Sequence, residues 1–338
     1  MSKDPSFVSN RRVVGDFVSN LLRQLKFKRE DFKTIGTFGG FTSLVDLGNF
    51  AIAFNTDNVG TKSIIAEEMG RFDTIGIDCI AMNVNDTITA GAEPIAMVDY
   101  IELNNVDPEI GRQIGTGLNV GSQMANITLV GGETSIVPDL VKHIDLAGTV
   151  FGIVQKSQII TGEKIRDGDL IFGLGSSGIH SNGFTTVRNI LKKEGLSLQD
   201  KFDKEDKTIG DLLMEPTRIY VREIMEAMNI VNIKGMANIT GGGIKNLSRL
   251  KDMHYVFDSP MTPQNMFNQI MELGKLTYEE MYETFNMGMG FAMIIDPDSK
   301  RDLINTLRNK VPLKEVGHVE NGSGTVIPGL EATFSGYY

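Results

Sequence analysis

Cysteine is nearly absent from this chain, because Cys79 is the single one among 338 residues. An intrachain disulfide is therefore excluded, which favours a protein of the reducing cytoplasm. Cys79 lies in an apolar pattern of helical spacing. Packing in a buried core is the more common role of such a cysteine, and a catalytic thiol is the alternative.

Long apolar runs and a surplus of positive charge are missing too. No segment approaches the roughly 20 consecutive apolar residues of a membrane-spanning helix, so we expect no membrane partner. The first residues carry Lys3, Arg11 and Arg12 without an apolar stretch, which is not the pattern of a signal peptide. The net charge is −10, and no basic stripe in the sequence offsets it. This argues against nucleic acid as a partner, but not against a nucleotide held by a few local groups.

Several motifs of common enzyme classes are also missing. The chain has no G-x-x-x-x-G-K-S/T phosphate loop, no cysteine and histidine spacing that suits zinc, and no G-x-S-x-G nucleophile elbow. Residues 173–178 do match G-x-G-x-x-G. The dinucleotide fingerprint needs a second strand that ends in an acid roughly 20 residues later. Residues 195–206 are polar and do not resemble a strand, so we reject dinucleotide binding.

The length and the alternation of strand and helix patterns predict an α/β protein built from two mixed α/β domains. The polar residues 161–169 separate two such alternations. We therefore predict an N-terminal domain over 1–160 and a C-terminal domain over 161–338. Residues 196–211 are polar and charged, which predicts a flexible insertion.

Apolar spacing and glycine or proline punctuation predict the individual elements. Gly36, Gly39 and Gly40 interrupt the route to the first strands. Predicted helices cover 13–25, 73–90, 183–194, 216–228, 263–286 and 298–309, with another opening at 107–109. Predicted strands lie near 41–47, 50–55, 95–103, 127–130, 144–154, 170–172, 232–239 and 290–295.

Residues 56–62, Thr-Asp-Asn-Val-Gly-Thr-Lys, follow an apolar strand pattern and carry the most informative pair of charges. Asp57 can bind Mg²⁺, which prefers oxygen ligands. Lys62 offers a positive charge for phosphate oxygens, and Gly60 allows the backbone to come close. The alternative is a solvated turn with an incidental charge pair.

Two further segments supply acids. Asn83 and Asp86 share one face of the predicted helix 73–90, and Asp86 together with Asp57 would form a two-carboxylate metal site. A solvent-exposed helix face is the alternative. Gly131-Gly132-Glu133-Thr134 follows a predicted strand directly. Two glycines permit a tight loop whose amides meet an anion or a base, and Glu133 would then face the same site. An ordinary turn is the alternative.

Ile179-His180-Ser181-Asn182-Gly183 opens a predicted helix. Amides at such a position suit a substrate phosphate, and His180 could exchange protons near neutral pH. The alternative is a capping loop with Ser181 or Asn182 as the cap. Thr240-Gly241-Gly242-Gly243 suggests close approach by another group. The loop around Asn286 contains methionines that are more often core residues than ligands.

Taken in order, nine short segments resemble the aminoimidazole ribonucleotide synthetase (phosphoribosylformylglycinamidine cyclo-ligase) family. The resemblance covers about residues 36–320, and it is the order of the segments that makes it specific. The segments are Asp57–Lys62, Phe72–Asp78, Asn85–Asp86, Gly91–Pro94, Gly131–Thr134, Ser177–Gly183, Glu215–Tyr220, Ile239–Gly243 and Thr284–Gly288.

The resemblance implies an enzyme of purine biosynthesis that uses ATP and Mg²⁺ to close the imidazole ring of formylglycinamidine ribonucleotide. ATP would phosphorylate the amide oxygen, which makes it a leaving group for attack by the amidine nitrogen. The resemblance also implies a homodimer formed through the sheet of the N-terminal domain, with the C-terminal domain completing the substrate cleft. The fold would be shared with formylglycinamidine ribonucleotide synthetase, selenophosphate synthetase and thiamine monophosphate kinase.

The implied site residues fall into three groups, among which Asp57, Lys62, Asp86 and His180 would be catalytic. Asp57 and Asp86 would hold Mg²⁺ and phosphate; Thr61, Lys62, Asp73, Gly131, Gly132 and Glu133 would line the nucleotide; and His180, Ser181, Asn182, Gly241, Gly242 and Asn286 would face the substrate.

This chain departs from the family pattern at Asn58, where the family has glycine, and at Asn238, where it has histidine. The family's usual N-terminal segment is not recognisable in residues 1–22. Two alternatives therefore stay open. One is a sister ATP-dependent enzyme of the same fold, and the other is a catalytically silent nucleotide-binding scaffold.

Overall fold

The computed structural model describes residues 16–36, 40–330 and 332–335. Gly39, the charged residues Lys3, Arg11 and Arg12, and the start of the predicted helix 13–25 lie outside these ranges. The helices are α1 (16–24), α2 (Lys62–Met69), α3 (Ile75–Ile88), α4 (Pro108–Ala125), α5 (Phe184–Glu194), α6 (Ile209–Leu213), α7 (Val221–Met228), α8 (Asn265–Gly274), α9 (Tyr278–Thr284) and α10 (Lys300–Leu307).

The strands divide between an N-terminal and a C-terminal sheet. They are β1 (Thr34–Ile35), β2 (Ser43–Asp46), β3 (Phe50–Asn58), β4 (Glu93–Leu103), β5 (Thr128–Ile136), β6 (Asp145–Gln155), β7 (Leu170–Gly175), β8 (Ile233–Asn238), β9 (His254–Val256), β10 (Met289–Ile295), β11 (Leu313–Glu320), β12 (Gly324–Ile327) and β13 (Ala332–Phe334).

The N-terminal sheet has the strand order β1-β2-β3-β6-β4-β5 over the described residues. Its pairs are antiparallel except β4 with β5, which is parallel. Helices α3 and α4 pack on one face. The opposite face exposes Phe50, Phe54, Val98 and Tyr100 by 41–44% each.

Helix α3 is buried on almost every side because α4 approaches it with backbone against backbone. A Cβ atom added to Gly76 would lie 2.4 Å from the backbone nitrogen of Leu118, and one added to Gly117 would lie 2.2 Å from the carbonyl oxygen of Asp73. Only glycine leaves room for this contact. The polar residues of α3 are consequently brought into the interior.

The C-terminal sheet has the order β13-β12-β9-β11-β7-β10-β8 within the described residues. Strand β10 pairs antiparallel with both β7 and β8. Strands β7 and β8 therefore run in the same direction and end at the same edge of the sheet. The loops that follow them, 176–183 and 239–242, leave from that shared edge and approach α2 and α3.

The mixed α/β fold predicted from the sequence is confirmed, and one local prediction is wrong. Residues 131–134 are not a loop, because β5 continues through them to Ile136. Residues 196–211, predicted as a flexible insertion, are packed against the protein, because Leu198, Phe202 and Ile209 are buried. Among the helices of the described chain, none is long and apolar enough to cross a membrane.

Candidate functional site

Asp57 and Asp86 are brought together where β3 meets the last turns of α3. The side-chain amide of Asn83 donates to the carbonyl oxygen of Asp57 at 3.1 Å, which ties strand to helix. Asp86 accepts a hydrogen bond of 2.8 Å from the side-chain amide of Asn238, at the end of β8. Asp57, Asp86 and Asn238 therefore join elements of both sheets.

The two carboxylates interact electrostatically. Burial raises the pKa of Asp57 above its ordinary value. The pKa of Asp86 is raised to about 7. Burial is the main cause and the negative charge of Asp57 adds to it, while the hydrogen bond from Asn238 acts in the opposite direction. A divalent cation would relieve both the desolvation and the repulsion, so the donor set fits Mg²⁺.

The carboxylates would provide only part of a magnesium shell. No group of three or more histidine, cysteine, aspartate or glutamate side chains in the described parts of the chain is arranged to hold a metal ion. Mg²⁺ commonly takes one or two carboxylates and completes its shell with phosphate oxygens and water. Asp57 and Asp86 match that arrangement.

Asn58, the residue that departs from the family pattern, has a partner. Its side-chain amide lies 3.3 Å from both carboxylate oxygens of Asp145 at the start of β6. Along β3 the side chain of Asn58 projects to the face opposite that of Asp57, since successive residues of a strand alternate. The side chain of Asn58 therefore anchors the outer side of the strand, while its backbone N–H donates to the carboxylate of Asp57 at 2.8 Å.

A row of paired residues extends from Asp57 across the sheet. Asp57 is paired with Gly148 of β6, Gly148 with Asp99 of β4, and Asp99 with Gly132 of β5. Paired residues share a face, so Asp99 lies on the same face as Asp57. Burial raises the pKa of Asp99. The only sequence signal for Asp99 was an acid inside the apolar strand Met-Val-Asp-Tyr-Ile, and sequence analysis missed it.

The glycines predicted to form a nucleotide loop lie in β5, and their contact with a nucleotide stays a prediction. A Cβ atom on Gly132 would lie 1.7 Å from a carboxylate oxygen of Asp99, whereas one on Gly131 would meet nothing within 4 Å. Glu133 is paired with Tyr100 on the open face of the sheet. The expectation that Glu133 faces the same site as Asp57 is wrong, because strand alternation directs it to the opposite face.

Lys62 is fully buried and does not project into an open cleft. Its ammonium group donates to Asp78 at 2.9 Å and to the carbonyl oxygen of Glu215 at 2.7 Å. Thr61, just before it, is exposed, and its hydroxyl lies 3.3 Å from that of Thr185. Asp73 is exposed just before α3. Contacts of Thr61, Lys62 and Asp73 with a nucleotide stay predictions.

His180 organises its own loop. It has a positive φ of 62° and is 2% exposed. Its Nε2 atom accepts from the backbone N–H of Ser177 at 3.2 Å and from that of Arg218 at 3.5 Å. Burial, together with the positive charges of Lys62 and Arg218, lowers the pKa of His180 to about 3. In this arrangement the ring of His180 is a neutral acceptor, and proton exchange by His180 stays a prediction.

Ser181 and Asn182 follow His180, and they differ in whether the side chain has hydrogen-bond partners within the protein. Ser181 is buried against Asp78 and Thr217, at 3.3 and 3.0 Å. Neither Ser181 nor Asn182 caps α5, because Gly183 occupies the N-cap without a side-chain bond. The amide nitrogen of Asn182 is buried and has no hydrogen-bond partner. Such a group requires one, and a ligand can supply it.

The remaining predicted substrate residues surround this loop. Gly241 lies beside Asn182, whose side-chain oxygen would be 3.1 Å from a Cβ atom at that position. Gly242 has a φ of 103°, which a residue other than glycine rarely adopts. Asn286 is buried and bonds the carbonyl oxygen of Gly178 and the N–H of Gly288. Its amide therefore supports the loop, and a substrate contact by Asn286 stays a prediction.

Two family models match this chain. AIR synthase related protein, N-terminal domain, matches residues 41–154, and AIR synthase related protein, C-terminal domain, matches residues 166–328. This chain belongs to the AIR synthase related family. The resemblance drawn from the ordered segments is thereby confirmed.

Members of the AIR synthase related family with curated names are close in sequence. The phosphoribosylformylglycinamidine cyclo-ligase of Thermoplasma acidophilum is 60% identical over 338 residues, which is 100% of each chain. The protein of the same name from Methanocaldococcus jannaschii is 44% identical over 308 residues, which is 89% of this chain and 87% of its own. These relatives support the activity expected from the motifs.

Solved structures share the fold of this family at low sequence identity. Thiamine-monophosphate kinase from Stenotrophomonas maltophilia K279a has a TM-score of 0.64 and 17% identity, covering 93% of this chain and 96% of its own. AaThiL complexed with AMPPCP and TMP has a TM-score of 0.65 and 17% identity, covering 95% of each chain. At such identities the likeness shows the fold alone.

Proposed function

We propose that this chain is an ATP-dependent ligase that closes the imidazole ring of formylglycinamidine ribonucleotide in purine biosynthesis. The observation that carries the proposal is full-length identity of 60% to a phosphoribosylformylglycinamidine cyclo-ligase. The products are aminoimidazole ribonucleotide, ADP and phosphate. The adjacent carboxylates of Asp57 and Asp86 and the buried loop 177–183 support it.

The reaction proceeds in two bond exchanges. The formyl amide oxygen of the substrate attacks the γ-phosphorus of ATP, and the bond from that phosphorus to ADP breaks. The amidine nitrogen then attacks the carbon that carries the phosphorylated oxygen. Loss of phosphate and of a proton completes the aromatic ring. Such chemistry depends mainly on orientation and on neutralisation of phosphate charge.

Asp57 and Asp86 would hold Mg²⁺ in this proposal. When bound, the ion supplies positive charge that neutralises phosphate oxygens during transfer. Asn238 keeps the carboxylate of Asp86 oriented through its 2.8 Å hydrogen bond. Asn83 keeps Asp57 next to α3 through its bond to the backbone. The likeness to AaThiL complexed with AMPPCP and TMP adds support for a nucleotide in this fold.

Asn182 is the residue we assign to the substrate. Its buried amide nitrogen lacks a partner, and Gly241 on the neighbouring loop lies close to its side-chain oxygen. An oxygen of the substrate would accept this hydrogen bond. His180 would shape the loop as a neutral acceptor and would transfer no proton.

A homodimer formed through the N-terminal sheet is part of the proposal, as is a cytoplasmic location. The sheet face opposite α3 exposes Phe50, Phe54, Val98 and Tyr100. Strand β5 forms one edge of the same sheet. A second copy of the chain would cover both the apolar surface and the edge, which are otherwise liabilities for a protein in water.

The activity is tested with purified protein, formylglycinamidine ribonucleotide and MgATP. We expect equal amounts of aminoimidazole ribonucleotide, ADP and phosphate, and no turnover after chelation of Mg²⁺. Intact ATP and no ring product would leave a catalytically silent scaffold, whereas ADP without ring product would indicate a sister enzyme with another substrate. Sedimentation of the wild type beside a Val98→Asp and Tyr100→Asp double variant tests the dimer.

A further inference from the structure

A buried ion pair connects the segment 57–62 with helix α3. Lys62 Nζ lies 2.9 Å from Oδ1 and 2.8 Å from Oδ2 of Asp78, and both side chains are fully buried. Nζ also donates to the carbonyl oxygen of Glu215 at 2.7 Å. The ammonium group of Lys62 is thus directed into the interior, toward a loop of the C-terminal half.

The same carboxylate collects donors from two more loops. Oδ1 of Asp78 accepts from the backbone N–H of Thr217 at 2.7 Å and from its hydroxyl at 2.6 Å. The hydroxyl of Ser181 donates to the same atom at 3.3 Å. One side chain therefore contacts the starts of α2 and α5 and the segment 215–218. We call Asp78, Lys62, Ser181 and Thr217 the Asp78 cluster.

Burial of the Asp78 cluster costs free energy of folding unless every charged and polar group in it has a partner. Removing one member of a buried ion pair leaves an uncompensated charge, whereas replacing both members together is often tolerated. The ammonium group of Lys62 is directed to Asp78 and Glu215, and the side chain has no exposed surface at which to meet a phosphate. The pair therefore favours one arrangement of the three segments.

We propose that Asp78 is a positioning residue that holds loop 177–183 in register with segment 57–62, and that Lys62 serves as its counter-ion and not as a phosphate ligand. The inference rests on the proposed ring closure and deepens it. Asp78 does not touch substrate. It sets the separation between Asp57, on the phosphate side, and Asn182, on the substrate side, where a displacement of about 1 Å can lower a rate by a hundredfold.

The main test compares Asp78→Asn, Lys62→Met and the double variant. We expect each single variant to lower the melting temperature. The loss in the double variant should be smaller than the sum of the two single losses. ATP affinity, measured by calorimetry with MgATP, should change by less than about threefold in all of them. The single variants should lower kcat for ring closure by about ten- to a hundredfold, and the double variant should recover part of that loss.

Thr217→Val keeps the test decisive if a charge variant does not fold. It removes one hydroxyl donor and leaves the ion pair intact, so we expect a stable protein with kcat lowered several-fold and ATP affinity unchanged. The matched control is Lys234→Met with Asp169→Asn. That pair is also buried, with Nζ 2.6 Å from the carboxylate, but it lies within the C-terminal half. It should lower stability without changing kcat.

Two outcomes would overturn the inference. A loss of MgATP affinity of tenfold or more in both Lys62→Met and the double variant would make Lys62 a phosphate ligand. Unchanged amide exchange of loop 177–183 and of Thr217 in Asp78→Asn would show that the cluster does not hold these segments. Amide exchange and ATP affinity need no turnover, so they decide the inference even if the proposed ring closure fails.

Discussion

The side chain of Asn238, at the end of β8, donates a 2.8 Å hydrogen bond to the carboxylate of Asp86, near the end of α3. The two residues are 152 positions apart and belong to different halves of the chain. The bond explains how an amide can stand where the family has histidine, because either side chain can present an N–H to Asp86.

Replacing Asn238 with Leu should lower ring closure by about tenfold, because loss of a hydrogen bond to a buried charged group costs about 1–3 kcal/mol. Asn238→His should retain most of the activity by donating from its ring. Steady-state kinetics at saturating MgATP measure both. Equal activities for the Leu variant and the wild type would mean that this bond does not orient Asp86.

The raised pKa of Asp86 predicts how stability depends on pH in the absence of metal. The folded-state pKa is about 7, above the ordinary value of about 3.9. Such a group stabilises the fold below its ordinary pKa, and this contribution is lost as the pH rises through about 7. Asp86→Asn should therefore raise the melting temperature relative to wild type more at pH 8 than at pH 5.

Calorimetry of the metal-free proteins at both pH values measures this difference. Asp302→Asn, at an exposed position of α10, is the matched control for removal of a carboxylate. A constant difference between wild type and Asp86→Asn would contradict a protonation of Asp86 near pH 7. Added Mg²⁺ should stabilise the wild type at pH 8 and should not stabilise Asp86→Asn.

Gly131 and Gly132 should respond differently to the same substitution. Gly132→Ala places a methyl group 1.7 Å from the carboxylate of Asp99, so we expect a loss of about 1–3 kcal/mol in the free energy of unfolding. Gly131→Ala meets open space and should stay within about 0.5 kcal/mol of wild type. Denaturant titration measures both. Equal effects would mean that the close contact with Asp99 does not exist.

Protonation of His180 should not contribute to the pH dependence of kcat. With a pKa lowered to about 3, its ring stays neutral from pH 5 to 9. His180→Asn keeps a side chain that tolerates a positive φ and should shift no inflection of kcat between pH 6 and 8, even if its rate is lower. An inflection near pH 6.5 that disappears in this variant would instead support a proton-transfer role for His180.

Local patterns predicted the elements whose burial follows from sequence spacing alone. The apolar stripe of 73–90 predicted a helix that is observed over Ile75–Ile88. The pair Gly131-Gly132 was interpreted as a loop because glycine weakens a strand in isolation. Its place in β5 depends on Asp99 of the neighbouring strand, which no local pattern reveals.

The amino-acid sequence by itself determined the family, through the order of nine segments, and it predicted that Asp57 and Asp86 act together. Tertiary structure decided which charged and polar groups meet. Lys62 pairs with buried Asp78, and His180 accepts two backbone hydrogen bonds. The reason is physical: the spacing of residues encodes local conformation, whereas burial and long-range packing select the partner of a charge and with it the pKa and the role.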